Sequence, residues 1–181
     1  MSSNSGKFKE LLESEIKVLK SCECHNIIKL YDMKKTSNNY YLVLEYCNDG
    51  DLDAYVKKRR FLTEEESIEI LCECINAFKH LYNHKIMHRD LKLANILRHD
   101  GVTKIADFGF SKMLGPEVLA ETMLGSPLNM APEVLNNMEY SNKADMYSLG
   151  VCYYWMLFGR YFLHNLVLPT TPRTSMNLRS W

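Results

Sequence analysis

Three short strings in a fixed order constrain this chain more than anything else in it: His88-Arg89-Asp90-Leu91-Lys92-Leu93-Ala94-Asn95, then Asp107-Phe108-Gly109, then Ala131-Pro132-Glu133. They set acids, an amide and a lysine among brief apolar segments around Ile86, Ile96 and Ile105, which polar turns bound and which read as short strands and loops. A helix with a marked start precedes them. Thr63 with Glu66 three residues later forms a capping box, and Ile68, Leu71, Ile75, Phe78 and Tyr82 step by three and four along one face.

Upstream, Phe8, Leu11, Leu12, Ile16 and Leu19 recur at helical spacing. Glu15 interrupts that stripe between Leu12 and Leu19, where an unpaired carboxylate is costly and calls for a cationic partner. Asn39 to Tyr46 reads as a strand, Asn48-Asp49-Gly50 as a turn, and a short helix follows from Asp51. The stretch from Ser111 to Asn129 is irregular. Met146 to Gly159 carries no charge but falls short of the roughly 20 residues that span a bilayer, so it reads as a deeply buried helix.

At 181 residues, 46% apolar and 24% charged, the chain suits one domain with a packed core. Lys plus Arg and Asp plus Glu both number 22, so no net field favours nucleic acid or a membrane surface as partner. Six cysteines without a signal segment at Met1 to Gly6 point to a reduced, cytoplasmic protein rather than a disulfide framework. The Cys22-Glu23-Cys24 and Cys72-Glu73-Cys74 triplets are too tightly spaced for structural zinc and read as half-buried helix residues.

In order and spacing the three strings resemble the signature of eukaryotic-type serine/threonine protein kinases. The resemblance implies an α+β, two-lobed protein-kinase-like fold over residues 8 to 160. Residues 8–46 would be the remnant of the small lobe, 47–160 the mainly helical large-lobe core, and 161–181 a divergent tail. It also implies transfer of the ATP γ-phosphate to Ser or Thr of protein substrates. Phosphoryl transfer needs chiefly positioning and charge neutralisation, which fits convergent acids and a cation. By resemblance Asp90 would accept the proton of the substrate hydroxyl, Lys92 would steady the transferred group, and Asn95 and Asp107 would hold Mg²⁺. Lys92, two places after Asp90, is the feature that resembles the serine/threonine class.

Other positions follow the same pattern. Glu15 looks like the helix glutamate that pairs with a strand lysine. Leu44, Glu45 and Cys47 look like the gatekeeper and the hinge whose backbone receives adenine, although alone this stretch is equally an ordinary buried strand. Leu19, Leu30, His88 and Phe108 match a stacked apolar column. Asp145 matches a buried aspartate that anchors the catalytic loop, or is a simple N-cap. Thr122 is the candidate phosphosite, its phosphate pairing with Arg89, or is an unmodified exposed threonine. The stretch from Glu45 to Leu52 and Gly125-Ser126-Pro127 are similar to the autophagy-initiating and calcium/calmodulin-dependent-like groups.

The pattern breaks in named places. No Gly-x-Gly occurs among the eight glycines, and Lys7 and Lys9 stand too close to Glu15 to be the strand lysine. Resemblance fades after Tyr161, and Asn129 stands where the family carries an aromatic in the substrate-facing turn. These departures leave open an active enzyme's fragment, a natural truncated form that binds a regulatory protein partner, or an inactive copy. The enzyme lineage is expected because Asp90, Lys92, Asn95 and Asp107 are intact; the rival is a non-catalytic, pseudokinase-like interaction module.

Overall fold

A computed structural model describes residues 3–37, 39–113 and 125–160, with the backbone alone for 3–11 and 113. The chain runs α1 (Ser3–Ser21), β1 (Leu30–Lys35), β2 (Tyr40–Leu44), β3 (Gly50–Asp51), α2 (Leu52–Arg59), α3 (Glu64–Asn83) and β4 (Ile86–Met87). A 3₁₀ turn (Leu93–Asn95) then leads to β5 (Ile96–His99), β6 (Val102–Ile105) and β7 (Lys112–Met113). A second 3₁₀ turn (Pro127–Asn129), α4 (Pro132–Leu135) and α5 (Lys143–Phe158) complete the described part. This is the mixed α+β, truncated kinase-like arrangement expected from the motifs.

β1 and β2 form an antiparallel pair, β3-β5-β6 a second sheet and β4-β7 a third. One turn, after α1, helps fasten the β1–β2 pair and α1 to the rest. Ile105 donates its N–H to the Asn26 carbonyl at 2.8 Å, Ile28 to the Ile105 carbonyl at 2.9 Å, and the buried Asn26 amide to the Thr103 carbonyl at 3.0 Å. Asn76 on α3 closes the set by donating to Asn26 Oδ1 at 2.7 Å. Backbone groups that would be costly to bury unpaired thereby join α1, α3 and β6.

Capping follows the sequence. Asp51 caps α2 by accepting from the Ala54 N–H at 2.8 Å, and Thr63 caps α3 by accepting from the Glu66 N–H at 3.2 Å. The return arm of the capping box is not made. Glu66 instead accepts from the Tyr55 hydroxyl at 2.6 Å and from Arg59 at 2.7 Å, tying α3 to α2.

Three expectations are corrected. On α3 the expected stripe holds only in part: Phe78 is buried and Leu71 half-buried, but Ile68, Ile75 and Tyr82 are exposed, and the rest of the buried face is Ser67, Ile70, Cys74, Ala77 and Leu81. Small side chains at 67, 74 and 77 alternate on this face with Ile70, Phe78 and Leu81, and the helix packs there against β6 and α5. α5 is buried on one side only, through Ala144, Asp145, Ser148, Leu149, Cys152 and Met156, whereas Met146, Tyr147 and Phe158 are exposed. Cys22 and Cys24 lie in the turn after α1 rather than in a helix, and all six cysteines are free thiols.

Gly159 ends α5 in a left-handed conformation, φ +64°. A Cβ there would stand 1.9 Å from the Arg60 carbonyl oxygen, so only glycine lets the α2–α3 connection, pinned by the Leu62 N–H to the Met156 carbonyl at 2.7 Å, lie against the helix end. Among the described residues no helix is long and apolar enough to cross a membrane, and no group of three or more His, Cys, Asp or Glu is arranged to hold a metal.

Candidate active site

Asp90 follows β4 in a loop held from below by Asp145. Asp145 is no N-cap: it lies inside the first turn of α5, almost wholly buried, and accepts the His88 N–H at Oδ2 and the Arg89 N–H at Oδ1, both at 2.9 Å. Burial pushes its carboxyl pKa up, opposed by His88, Arg89 and these two bonds. Arg89 is thereby held at φ +68°, unusual for a side-chain-bearing residue, while its Nε donates to the Phe110 carbonyl at 2.6 Å.

The His88 ring receives the Asp90 N–H at Nδ1 (3.3 Å) and lies 3.0 Å through Nε2 from the Ala106 carbonyl. Those partners define the tautomer protonated on Nε2. Its ring packs edge-on against Phe108 with centroids 5.1 Å apart, and both residues are fully buried. Leu19 and Phe108 are buried in the same core, with Leu30 packed against it.

Both oxygens of Asp90 are engaged. Oδ2 receives Lys92 Nζ at 2.8 Å and Asn95 Nδ2 at 3.3 Å, and Asn95 Nδ2 also donates to the Asp90 carbonyl at 2.8 Å. Oδ1 receives the N–H of Ser126 at 2.8 Å and its hydroxyl at 3.0 Å. Sequence reasoning missed this role of Ser126; the only available signal was its place in Gly125-Ser126-Pro127. Gly125 makes the approach possible, at φ +112°, since a Cβ would meet the Arg89 carbonyl at 2.3 Å.

Asn95 and Asp107 are brought together through the backbone, the Ala106 N–H donating to the Asn95 carbonyl at 2.9 Å. Asp107 is exposed and held at φ +63°, and among the described residues its Oδ1 accepts a long 3.4 Å bond from the Gly109 N–H. Asn95 spends its amide nitrogen on Asp90, which leaves Oδ1 as an oxygen donor. Two hard oxygen ligands of this kind suit Mg²⁺, so the residues fit the ion that the family uses with ATP.

Glu15 is half-buried, and among the described residues it has no ion pair. Burial first, then the charge of Asp107, raises its pKa above the ordinary value of 4.5. A Cβ placed on Gly109 would lie 3.3 Å from Asp107 Oδ1 and 3.9 Å from Glu15 Oε2, so both carboxylates border this glycine. The structure thus brings Glu15 to the site without the cation the sequence called for.

Leu44 ends β2 and is 39% exposed. Glu45 is fixed by its N–H to the Lys29 carbonyl at 2.8 Å, and its side chain pairs with Lys104 at 2.9 Å. Cys47 is half-buried, its thiol pKa raised chiefly by burial. Asn129 is buried rather than facing a substrate: its amide donates to Cys152 Sγ at 3.4 Å and its carbonyl accepts from Ser148 at 2.7 Å. Thr122 lies outside the described residues.

With this geometry in place, the comparison with known proteins is direct: residues 1–173 match the protein kinase domain family, and the chain belongs to it. Its lineage is that of serine/threonine protein kinases. It is 38% identical over 201 residues to human serine/threonine-protein kinase ULK1, covering 97% of this chain and 19% of that protein. It is 39% identical over 166 residues to serine/threonine-protein kinase atg1 of Dictyostelium discoideum, covering 88% of this chain and 25% of that one. Arabidopsis thaliana ATG1c is 41% identical over 158 residues, with 85% and 22% covered. The chain therefore spans about a fifth to a quarter of the length of these relatives, and the likeness to the autophagy-initiating group agrees with the Glu45 to Leu52 reading.

Proposed function

We propose that this site transfers the γ-phosphoryl group of ATP, with Mg²⁺, to a serine or threonine hydroxyl of a protein substrate. The observation that carries the reading is the Asp90 carboxylate, almost wholly buried yet held by Lys92 and Asn95 just after it in the chain and by Ser126 from 36 residues away.

In this reading Asp90 orients the acceptor hydroxyl and takes its proton, since four donors fix where its oxygens point. Lys92, whose side chain is 32% exposed beside Asp90, offers a positive charge to the group in transit. Asn95 and Asp107 would hold Mg²⁺, which would supply neutralisation of charge on the phosphates. The Glu45 carbonyl and the Cys47 N–H serve adenine, and Leu44 borders the same space. Glu15 awaits a cation that neither this chain's sequence near it nor its described structure supplies, and the chain contains no Gly-x-Gly to cover phosphates. Phosphotransfer by this polypeptide alone is therefore expected to be about 10²-fold or more below that of a kinase with both features, because one missing positioned donor costs a catalytic site about 3 kcal/mol.

The test is Mg²⁺-dependent ATP binding and phosphotransfer to a generic Ser/Thr substrate by the purified chain, with Asp107→Ala beside it. Weak transfer abolished by Asp107→Ala supports the reading. Folded protein that binds no nucleotide, or transfer indifferent to Asp107, overturns it.

A further inference from the structure

Lys104 lies on β6, and among the described residues its side chain is one of the most enclosed charges, 6% exposed. From β6 it reaches Glu45 Oε1 at 2.9 Å and the His25 carbonyl at 2.8 Å. Glu45 Oε2 in turn receives the Lys29 N–H at 3.2 Å, and the Glu45 N–H donates to the Lys29 carbonyl at 2.8 Å. One ammonium thus ties three segments: the residue directly after β2, the turn after α1, and β6, which ends at Ile105, two residues before Asp107. A buried ion pair of this kind adds little net stability over apolar side chains of the same shape, but it specifies one geometry, because neither charge tolerates losing the other.

We infer that Lys104 is a positioning residue: its pairing with Glu45 fixes the segment after β2 relative to Asp107, and so sets the separation between the adenine end and the metal end of the nucleotide site. The functional half of this inference rests on the kinase reading above; the mechanical half does not. Without the clamp, the Glu45 peptide and Asp107 shift independently, and a ligand that must touch both loses affinity more than one that touches a single end.

The experiment is residue-resolved amide hydrogen exchange on the whole chain and on Lys104→Met, with Glu45→Gln/Lys104→Met as the variant that leaves no unpaired charge and Lys104→Arg as the conservative replacement. The reporters are the Glu45 N–H, bonded to Lys29, and the Ile105 and Ala106 N–H groups, bonded to Asn26 and Asn95. Exchange at Glu45 and at Ile105 and Ala106 should rise together by about tenfold or more in both Met variants, with Cys74 and Ala77 of α3 unchanged and Lys104→Arg close to the parent. A rise at only one end, no rise, or a uniform rise that includes α3 overturns the inference. In parallel, Mg-ATP affinity should fall in Lys104→Met by about tenfold or more beyond any fall in adenosine affinity; equal losses for the two ligands also overturn it. If the parent chain binds neither ligand, the kinase reading fails while the exchange result still decides the clamp.

Discussion

Ser126 donates both its backbone N–H and its hydroxyl to one oxygen of Asp90, Oδ1, at 2.8 and 3.0 Å. The other oxygen belongs to Lys92 and Asn95. The Pro127–Asn129 turn is thereby registered on the residue proposed to orient the acceptor. Ser126→Ala keeps the N–H and loses the hydroxyl; since a hydrogen bond to a charged group contributes about 1.5–3 kcal/mol, phosphotransfer should fall about tenfold or more. Ser126→Thr should retain it, and ATP affinity should be unchanged in both. Parallel assays of initial rate and nucleotide binding check this.

The glycines divide by what surrounds them. Gly125→Ala and Gly159→Ala each put a Cβ into a backbone carbonyl at a positive φ, and each should destabilise by about 1–3 kcal/mol or more. Gly150 sits within α5 with nothing near its Cβ position, so Gly150→Ala should stabilise by about 0.5–1 kcal/mol. Thermal unfolding of the three variants gives opposite signs if the backbone geometry is right.

Asp145→Asn preserves size but presents an NH₂ to one of two backbone N–H groups that now find carboxylate oxygens. Leaving a buried donor unsatisfied costs about 1–3 kcal/mol. Urea unfolding should show that loss, and amide exchange at His88 and Arg89 should accelerate beyond the global change.

Glu15 supplies a pH dependence. Its folded-state pKa lies above the ordinary 4.5, from burial and then from Asp107. The folded state therefore holds the proton more tightly than the unfolded chain, so this group's contribution is fully present below about pH 4.5 and is lost as pH rises through the raised value. Glu15→Gln should melt higher than the parent at pH 7, with the difference shrinking towards pH 4. A constant difference across that range would show that the carboxylate is compensated.

Much of the site was legible before any coordinates. Asp90, Lys92, Asn95 and Asp107 stand out by residue type and spacing alone, and the caps at Asp51 and Thr63 are local interactions whose partners lie three residues away. The face of α3 was legible only in part. Two stripes step by three and four along this helix and share the side of Phe78; the tertiary packing against β6 and α5 took the one with Ser67, Ile70, Cys74, Ala77 and Leu81 and left Ile68, Ile75 and Tyr82 exposed.

What the sequence determined by itself is therefore the family, the order of elements and the identity of the reactive groups, because these depend on neighbours a few positions apart. The tertiary structure alone decided that Ser126 closes on Asp90 across 36 residues, that Lys104 finds His25 across 79, and that Asp145 reaches His88 across 57. A buried polar group must find a partner wherever the folded chain brings one, and no short spacing in the sequence records which partner that is.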